Sequence, residues 1–341
     1  MKNLFILFVS VLFLISCGSS KKFNVAEIAS IYMEYNPAAD LNYGKEFQAT
    51  IFARMLDGRE VDITKKKKLS FISEDIKKLS SKNTFLVVKK PTSFTDETIS
   101  VSYAFSGKEE TFTDAQTIKM NLRGSLIILA DGIDGENGVN RKSRTGRIIF
   151  RDGKDGENGG NGTFGTNAKQ LTCYIWKKGN YNYVSVNNLT NNEVWKYKFA
   201  VNGTLLVNAS GGDGGNGGRG GNGGSGQNGE INKNNKQLRV GDGGDGGNGG
   251  NGGNGGDGSV VNVFIHPSAS SVSSSITVVN IGGTGGRNGT AGTAGNPGKP
   301  LSGQLLGRKG RVGLRGIRGV AGVNGPPPSI TVIDFDISQY E

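Results

Sequence analysis

Hydrophobic and polar positions change rhythm along this chain, and each rhythm predicts a different element. Residues 4–15 form an apolar run of signal-peptide length, too short to span a bilayer as a helix. Further on, Ile99, Val101, Tyr103 and Phe105 alternate with Ser100, Ser102 and Ala104, the period of a half-buried strand. Ile118, Met120 and Leu122 alternate likewise. Asp57-Gly58 separates the strand-like runs 47–56 and 60–63 as a hairpin turn would. Short strands of this kind between residues 27 and 122 predict a β-sandwich.

From residue 123 short apolar phrases alternate with glycine tracts, and the phrases repeat. Gly124-Ser125-Leu126-Ile127-Ile128-Leu129-Ala130-Asp131-Gly132 matches Gly203-Thr204-Leu205-Leu206-Val207-Asn208-Ala209-Ser210-Gly211, and 146–153 is a shorter relative. Ser275-Ile276-Thr277-Val278-Val279 recurs as Ser329-Ile330-Thr331-Val332-Ile333. These are internal repeats of a strand followed by a glycine tract. Between them, 170–176, 181–186 and 193–199 read as an antiparallel meander with a turn at Gly179-Asn180.

Of the 57 glycines, only Gly18, Gly44, Gly58 and Gly107 precede residue 121. Residues 211–229 and 241–258 follow a Gly-Gly-X pattern, and 283–298 and 307–325 keep glycine at every third place. Three readings compete. A flexible linker needs no side chains, but it has no reason to hold a period of three. A collagen triple helix wants proline between the glycines, and proline is nearly absent inside these tracts. A bundle of polyglycine-II helices has three residues per turn, so two bare glycine edges let neighbouring rods approach closely. On that reading X points to solvent, which suits Asn and Asp. GxGxxG matches are unavoidable in such tracts and signal no nucleotide site.

The termini and the charge narrow the setting. The apolar run ends Leu14-Ile15-Ser16-Cys17-Gly18, which resembles the lipobox of bacterial lipoproteins. The resemblance implies cleavage before Cys17, acylation (including palmitate) of that cysteine and anchoring in a bilayer. Gly18 after it fits sorting to the outer membrane, with the face left open. Cys173 then has no partner and reads as a buried apolar residue. The only histidine, His266, beside Pro267, excludes His-rich metal sites and reads as a strand-end residue. Neither a catalytic set nor a cofactor motif stands out, and the expectation is a protein that is not an enzyme and binds no metal or cofactor. Net charge is +11, which for an envelope protein points away from nucleic acid and toward acidic proteins or anionic glycolipid. Lys65–Lys68 form a run of like charge, read as a solvated loop. Arg308, Lys309, Arg311, Arg315 and Arg318 fall in one periodic tract without an acid. On a three-fold helix Arg308 and Arg311 share one edge and Lys309, Arg315 and Arg318 another, giving a candidate contact for an anionic partner.

Two further resemblances complete the expectation. Ala49-Thr50-Ile51, Asp57-Gly58, Val61-Asp62-Ile63-Thr64, Leu69-Ser70-Phe71-Ile72-Ser73 and Thr98-Ile99-Ser100-Val101-Ser102-Tyr103 are similar to a bacterial immunoglobulin-like domain of surface proteins, although Phe71 stands where tryptophan is common. Residues 211–325 resemble glycine-rich, collagen-like surface proteins and polyglycine-II domains of adhesins and antifreeze proteins. The expected architecture is all-β: 1–16 signal peptide, 17–26 lipidated tether, 27–122 Ig-like β-sandwich, and 123–341 a β-rich domain with bundled polyglycine-II helices. The expected role is a structural scaffold or accessory subunit of an outer-membrane complex. The alternatives are an adhesin or glycan-binding module, and an ice-binding protein.

Overall fold

The computed structural model describes residues 24–36, 41–79, 83–107, 110–122, 124–142 and 152–341. The fold is all-β. Its N-terminal part holds β1 (Ile28–Tyr35), β2 (Glu46–Met55), β3 (Glu60–Asp62), β4 (Leu69–Phe71), β5 (Ile76–Leu79), β6 (Thr84–Val87), β7 (Thr98–Ser106) and β8 (Thr111–Lys119). One antiparallel sheet runs β1-β2-β6-β5 with β3 on β2, and a second runs β4-β7-β8. Alternation is plain in β2, where Phe47, Ala49, Ile51, Ala53 and Met55 are buried and their neighbours are more open. The 57–58 turn closes the β2–β3 hairpin with Gly58 at φ +83°, a left-handed value that favours glycine. The alternation at 118–122 is a strand only to Lys119, the end of β8. Lys65–Lys68 lie exposed before β4.

The C-terminal part contains β9 (Leu126–Leu129), β10 (Leu171–Lys178), β11 (Tyr181–Asn188), β12 (Glu193–Ala200), β13 (Leu205–Asn208), β14 (Glu230–Ile231), β15 (Gln237–Leu238), β16 (Val261–Ile265), β17 (Ile276–Val279) and β18 (Ser329–Val332). β10, β11 and β12 form the antiparallel meander, turning at Gly179. β16 and β18 join it in parallel, giving the order β12-β11-β10-β16-β18. The matched phrases at 124 and 203 become β9 and β13, which pair in parallel with Leu126 opposite Leu205, and β17 adds to β13. The other matched phrases part company: β17 and β18 lie in different sheets. Leu126, Ile128, Leu205 and Val207 share one buried cluster with Cys173, Ile175, Val263 and Trp195, and that cluster continues into the N-terminal strands. The seam is tight at Gly44, where a Cβ would lie 2.4 Å from the Ile127 carbonyl oxygen.

Six extended segments project from these two parallel ladders. β9, β13 and β17 lead out into rods 1 (residues 131–142), 3 (210–229) and 5 (280–299). Rods 2 (152–168), 4 (240–258) and 6 (307–325) lead back into β10, β16 and β18. Neighbouring rods are tied by backbone hydrogen bonds at every third residue. Gly211, Gly214, Gly217, Gly220, Gly223, Gly226 and Gly229 of rod 3 donate to carbonyls of Ile281, Thr284, Arg287, Thr290, Thr293, Asn296 and Lys299 of rod 5. The constant offset makes those two rods parallel. Gly241, Gly244, Gly247, Gly250, Gly253 and Gly256 of rod 4 donate to Gln227, Gly224, Gly221, Gly218, Gly215 and Gly212 of rod 3, whose descending order makes that pair antiparallel. The same rule holds throughout: rods adjacent in sequence are antiparallel, and rods two apart are parallel. Rods 1, 3 and 5 therefore form one layer and rods 2, 4 and 6 a second.

Glycine content follows the number of neighbours. Rods 3 and 4 are each bonded to four others and carry two glycines in three. Rods 1 and 6 end the array, are bonded to two others, and keep one glycine in three. A Cβ on Gly250 of rod 4 would lie 1.8 Å from the Gly160 carbonyl oxygen. Where the outer positions of rod 5 become Asn288, Ala291 and Ala294, the bonds from rod 6 lengthen: Gly322→Gly283 is 2.8 Å, whereas Gly316→Gly289 and Gly313→Gly292 are 3.2 Å.

One expectation is corrected. The Asn and Asp residues at X are not simply turned to solvent. The Oδ1 atoms of Asp242, Asp245, Asn248, Asn251, Asn254 and Asp257 accept from the backbone amides of Arg308, Arg311, Leu314, Ile317, Val320 and Val323, at 2.6–2.9 Å. Asp134, Asn137 and Asn140 of rod 1 likewise accept from Asp213, Asn216 and Arg219. These side chains satisfy amides that a bare glycine rod would leave to water. Their spacing of 79 residues equals the Leu126–Leu205 register of β9 and β13, so the strand register passes unbroken into the rods.

Candidate interaction surface

Rod 6 is the last rod of its layer, and two of its three edges carry side chains instead of glycine. Arg308, Arg311, Leu314, Ile317, Val320 and Val323 each give an amide to a rod 4 side chain and accept from a rod 4 glycine, which puts all six on one edge. Lys309, Val312, Arg315 and Arg318 lie on the next edge, three residues apart or a multiple of three. Their common bonding to rod 4 groups Arg308 with Arg311, while Lys309, Arg315 and Arg318 share the next position of the period. All five cations are exposed. Arg308 alone approaches an acid closely, with Nε 3.9 Å from Asp242 Oδ2, and among the described residues the other four form no ion pair.

The apolar members of these edges escaped the sequence reading. Leu314, Ile317, Val320 and Val323 are 68–73% exposed, and Leu305, Leu306 and Val312 are also open. Recurrence at every third residue sets them about 9 Å apart along the rod. The result is an apolar ridge with a basic end and a basic flank. Exposed apolar residues arranged contiguously mark interaction surfaces.

Across the outer face of the same layer, a groove of about 560 Å³ is walled by Phe164 of rod 2 on one side and by Ile317, Arg318 and Val320 of rod 6 on the other. Its floor is rod 4, with Asn251, Gly252 and Asn254. A separate cleft of about 520 Å³ lies between the N-terminal strands and the start of the rods, lined by Asp75, Lys89, Lys90, Asp131 and Lys169 among others. The Lys90 and Lys169 ammonium groups both sit over the Trp195 ring, 4.6 and 5.7 Å from its centre. Burial, and then the facing Lys169, push Lys90 down to about 8.

Two other residues singled out in the sequence, Cys173 and His266, lie in and after strands of the C-terminal part. Cys173 is fully buried in β10, and burial pushes its thiol up to about 12. His266 follows β16 and its Nδ1 accepts from the Ser268 amide, while Nε2 lies 3.1 Å from Asp334 Oδ1. Cys17 lies outside the described residues. Among the described residues, no helix is long and apolar enough to cross a membrane, and no group of three or more His, Cys, Asp or Glu is placed to hold a metal ion. No family model matches the chain, and no curated protein matches it either.

Proposed function

We propose that this protein is a non-catalytic lipoprotein of the bacterial outer membrane, held by an acylated Cys17. In this reading residues 27–122 are an Ig-like sandwich, the six rods are a polyglycine-II bundle, and the whole is a scaffold or accessory subunit of a surface complex. The rod 6 ridge carries the proposal. It sets five exposed apolar side chains, Val312, Leu314, Ile317, Val320 and Val323, beside five cations along one rod. The partner would be an acidic envelope protein, with anionic glycolipid as the other source of negative charge. Affinity capture of the full-length protein from detergent-solubilised membranes tests it. A stoichiometric protein partner is expected, retained at low salt and lost in an Arg311→Gln, Arg315→Gln, Arg318→Gln variant. Recovery of no such partner, or one indifferent to these changes, sinks the scaffold reading. The anchor has its own check: Cys17→Ala should move the protein from the membrane fraction to the soluble one and abolish acylation by mass.

A second reading, a glycan-binding surface module, is favoured by the Phe164 groove, where an exposed aromatic ring faces a floor of side-chain amides.

A further inference from the structure

The geometry points to a binding site for an acidic oligosaccharide of pyranose units in the groove between Phe164 and Arg318. The inference rests on the glycan-binding reading and gives it a place and a ligand charge.

Its first support is a gap in a ladder. Asp152, Asp155, Asn158, Asn161 and Asn167 of rod 2 accept from the amides of Asp242, Asp245, Asn248, Asn251 and Asp257 of rod 4. The missing rung is Asn254, whose rod 2 counterpart is Phe164. A phenyl ring cannot accept that amide as an Asn carbonyl would, so the rod forgoes one bond there. Nor does the ring gain burial in exchange, since Phe164 is 69% exposed. Phe164 instead stands open beside Ile317 and Val320 in the lining of the groove, the contiguous kind of exposure that marks an interaction surface.

The second support is what the ring faces. Asn251 and Asn254 use their Oδ1 atoms to hold Ile317 and Val320 of rod 6, and both residues are exposed, so Nδ2 is the donor that each has left for a ligand. A pyranose presents an apolar C–H face and a rim of hydroxyls. Phe164 fits the first and the amides the second. The third support is charge. Among the described residues no acid lines the groove, whereas Arg318 does, and none of them pairs with its guanidinium. A carboxylate on the sugar is a group that a guanidinium fork binds through two parallel hydrogen bonds. Amides recur along rod 4 about every 9 Å, so a linear chain suits the groove better than a single sugar.

Calorimetry on the detergent-solubilised full-length protein tests this, with β-1,4-linked hexamannuronate, hexagalacturonate and neutral cellohexaose as probes. At least one acidic hexamer should bind, and more tightly than cellohexaose. Arg318→Gln and Phe164→Asn should each weaken it about tenfold or more. Phe164→Asn should at the same time raise Tm by about 1–2 °C, because it restores the rung to Asn254. Phe164→Leu, which keeps the bulk and removes the ring, should weaken binding without raising Tm. Equal binding of cellohexaose, or a Phe164→Asn variant that lowers Tm, overturns the inference. Acidic binding unchanged in all variants overturns it too, but leaves the protein a glycan binder at another place. Binding of none of the three removes both readings.

Discussion

At Gly250 one methyl group decides whether two rods can stay together. Its Cβ would fall 1.8 Å from a backbone oxygen of rod 2, which has no rotamer through which to yield. Gly250→Ala should therefore exceed the ~1–3 kcal/mol usual for overpacking. Chemical denaturation would show it as a large drop in the midpoint. Asn248→Ala is a milder change: it removes the acceptor for the Leu314 amide and should cost about 1 kcal/mol. Lys90 supplies a pH test. Its folded value, about 8, lies below the ordinary 10.5, so the unfolded chain holds the proton more strongly. The penalty for charging it is fully present below pH 8 and fades as pH rises from about 8 toward 10.5, so stability should increase across that window. Lys90→Met should raise Tm at pH 7 and flatten this rise, and an unchanged profile would show that Lys90 is not its source. Residue scale is also where sequence reading met its limit. Asn and Asp at X were visible, but their bonding to the next rod was not, because the acceptor and its amide stand 66 to 90 residues apart. Phe164 looked ordinary for the same reason, since its meaning comes only from the ladder that it interrupts.

The rod is the element that hydrogen exchange can address. Amides of rods 3 and 4 are bonded on every third residue to one neighbour and on further residues to others, so they should exchange far more slowly than a random coil. Random-coil rates across 211–258 would mean that the tracts are linkers. Period three was legible in rods 3 and 4, where paired glycines advertise it, and in rods 5 and 6, where the step runs unbroken from 283 to 298 and from 307 to 325. Rods 1 and 2 were not singled out, although Gly132, Gly135 and Gly138, and Gly153, Gly156, Gly159, Gly162 and Gly165, keep the same step. Those two rods lie at or near the end of the array, need fewer bare edges, and so retain ordinary side chains. In the strands the sequence signal was stronger. Alternation marked β7, the run before the Asp57-Gly58 turn marked β2, and the aromatic meander fell where β10 to β12 lie. It could not reveal that β17 and β18 belong to different sheets, since like phrases can serve both the outgoing and the returning ladder.

Considered whole, the C-terminal part is a strand, a rod out, a rod back and a strand, three times over. Each outgoing strand pairs only with outgoing strands, and each returning strand extends the meander's sheet. The two end rods carry side chains on their outer edges, which stops a further rod from packing there and leaves the ridge and groove as the surfaces available to a partner. The fixed register between rods has a consequence for how such a gene can change. Inserting a single residue in any rod would carry its glycines off the shared edges and put Cβ atoms against neighbouring carbonyls along the entire remaining length. Three residues added to one rod alone would leave an unmatched triplet. Only triplets added in step to an outgoing and its returning rod, at the far tip, preserve every rung. Viable length variants of this protein should therefore differ by paired multiples of three residues at the tips, or by a complete out-and-back unit.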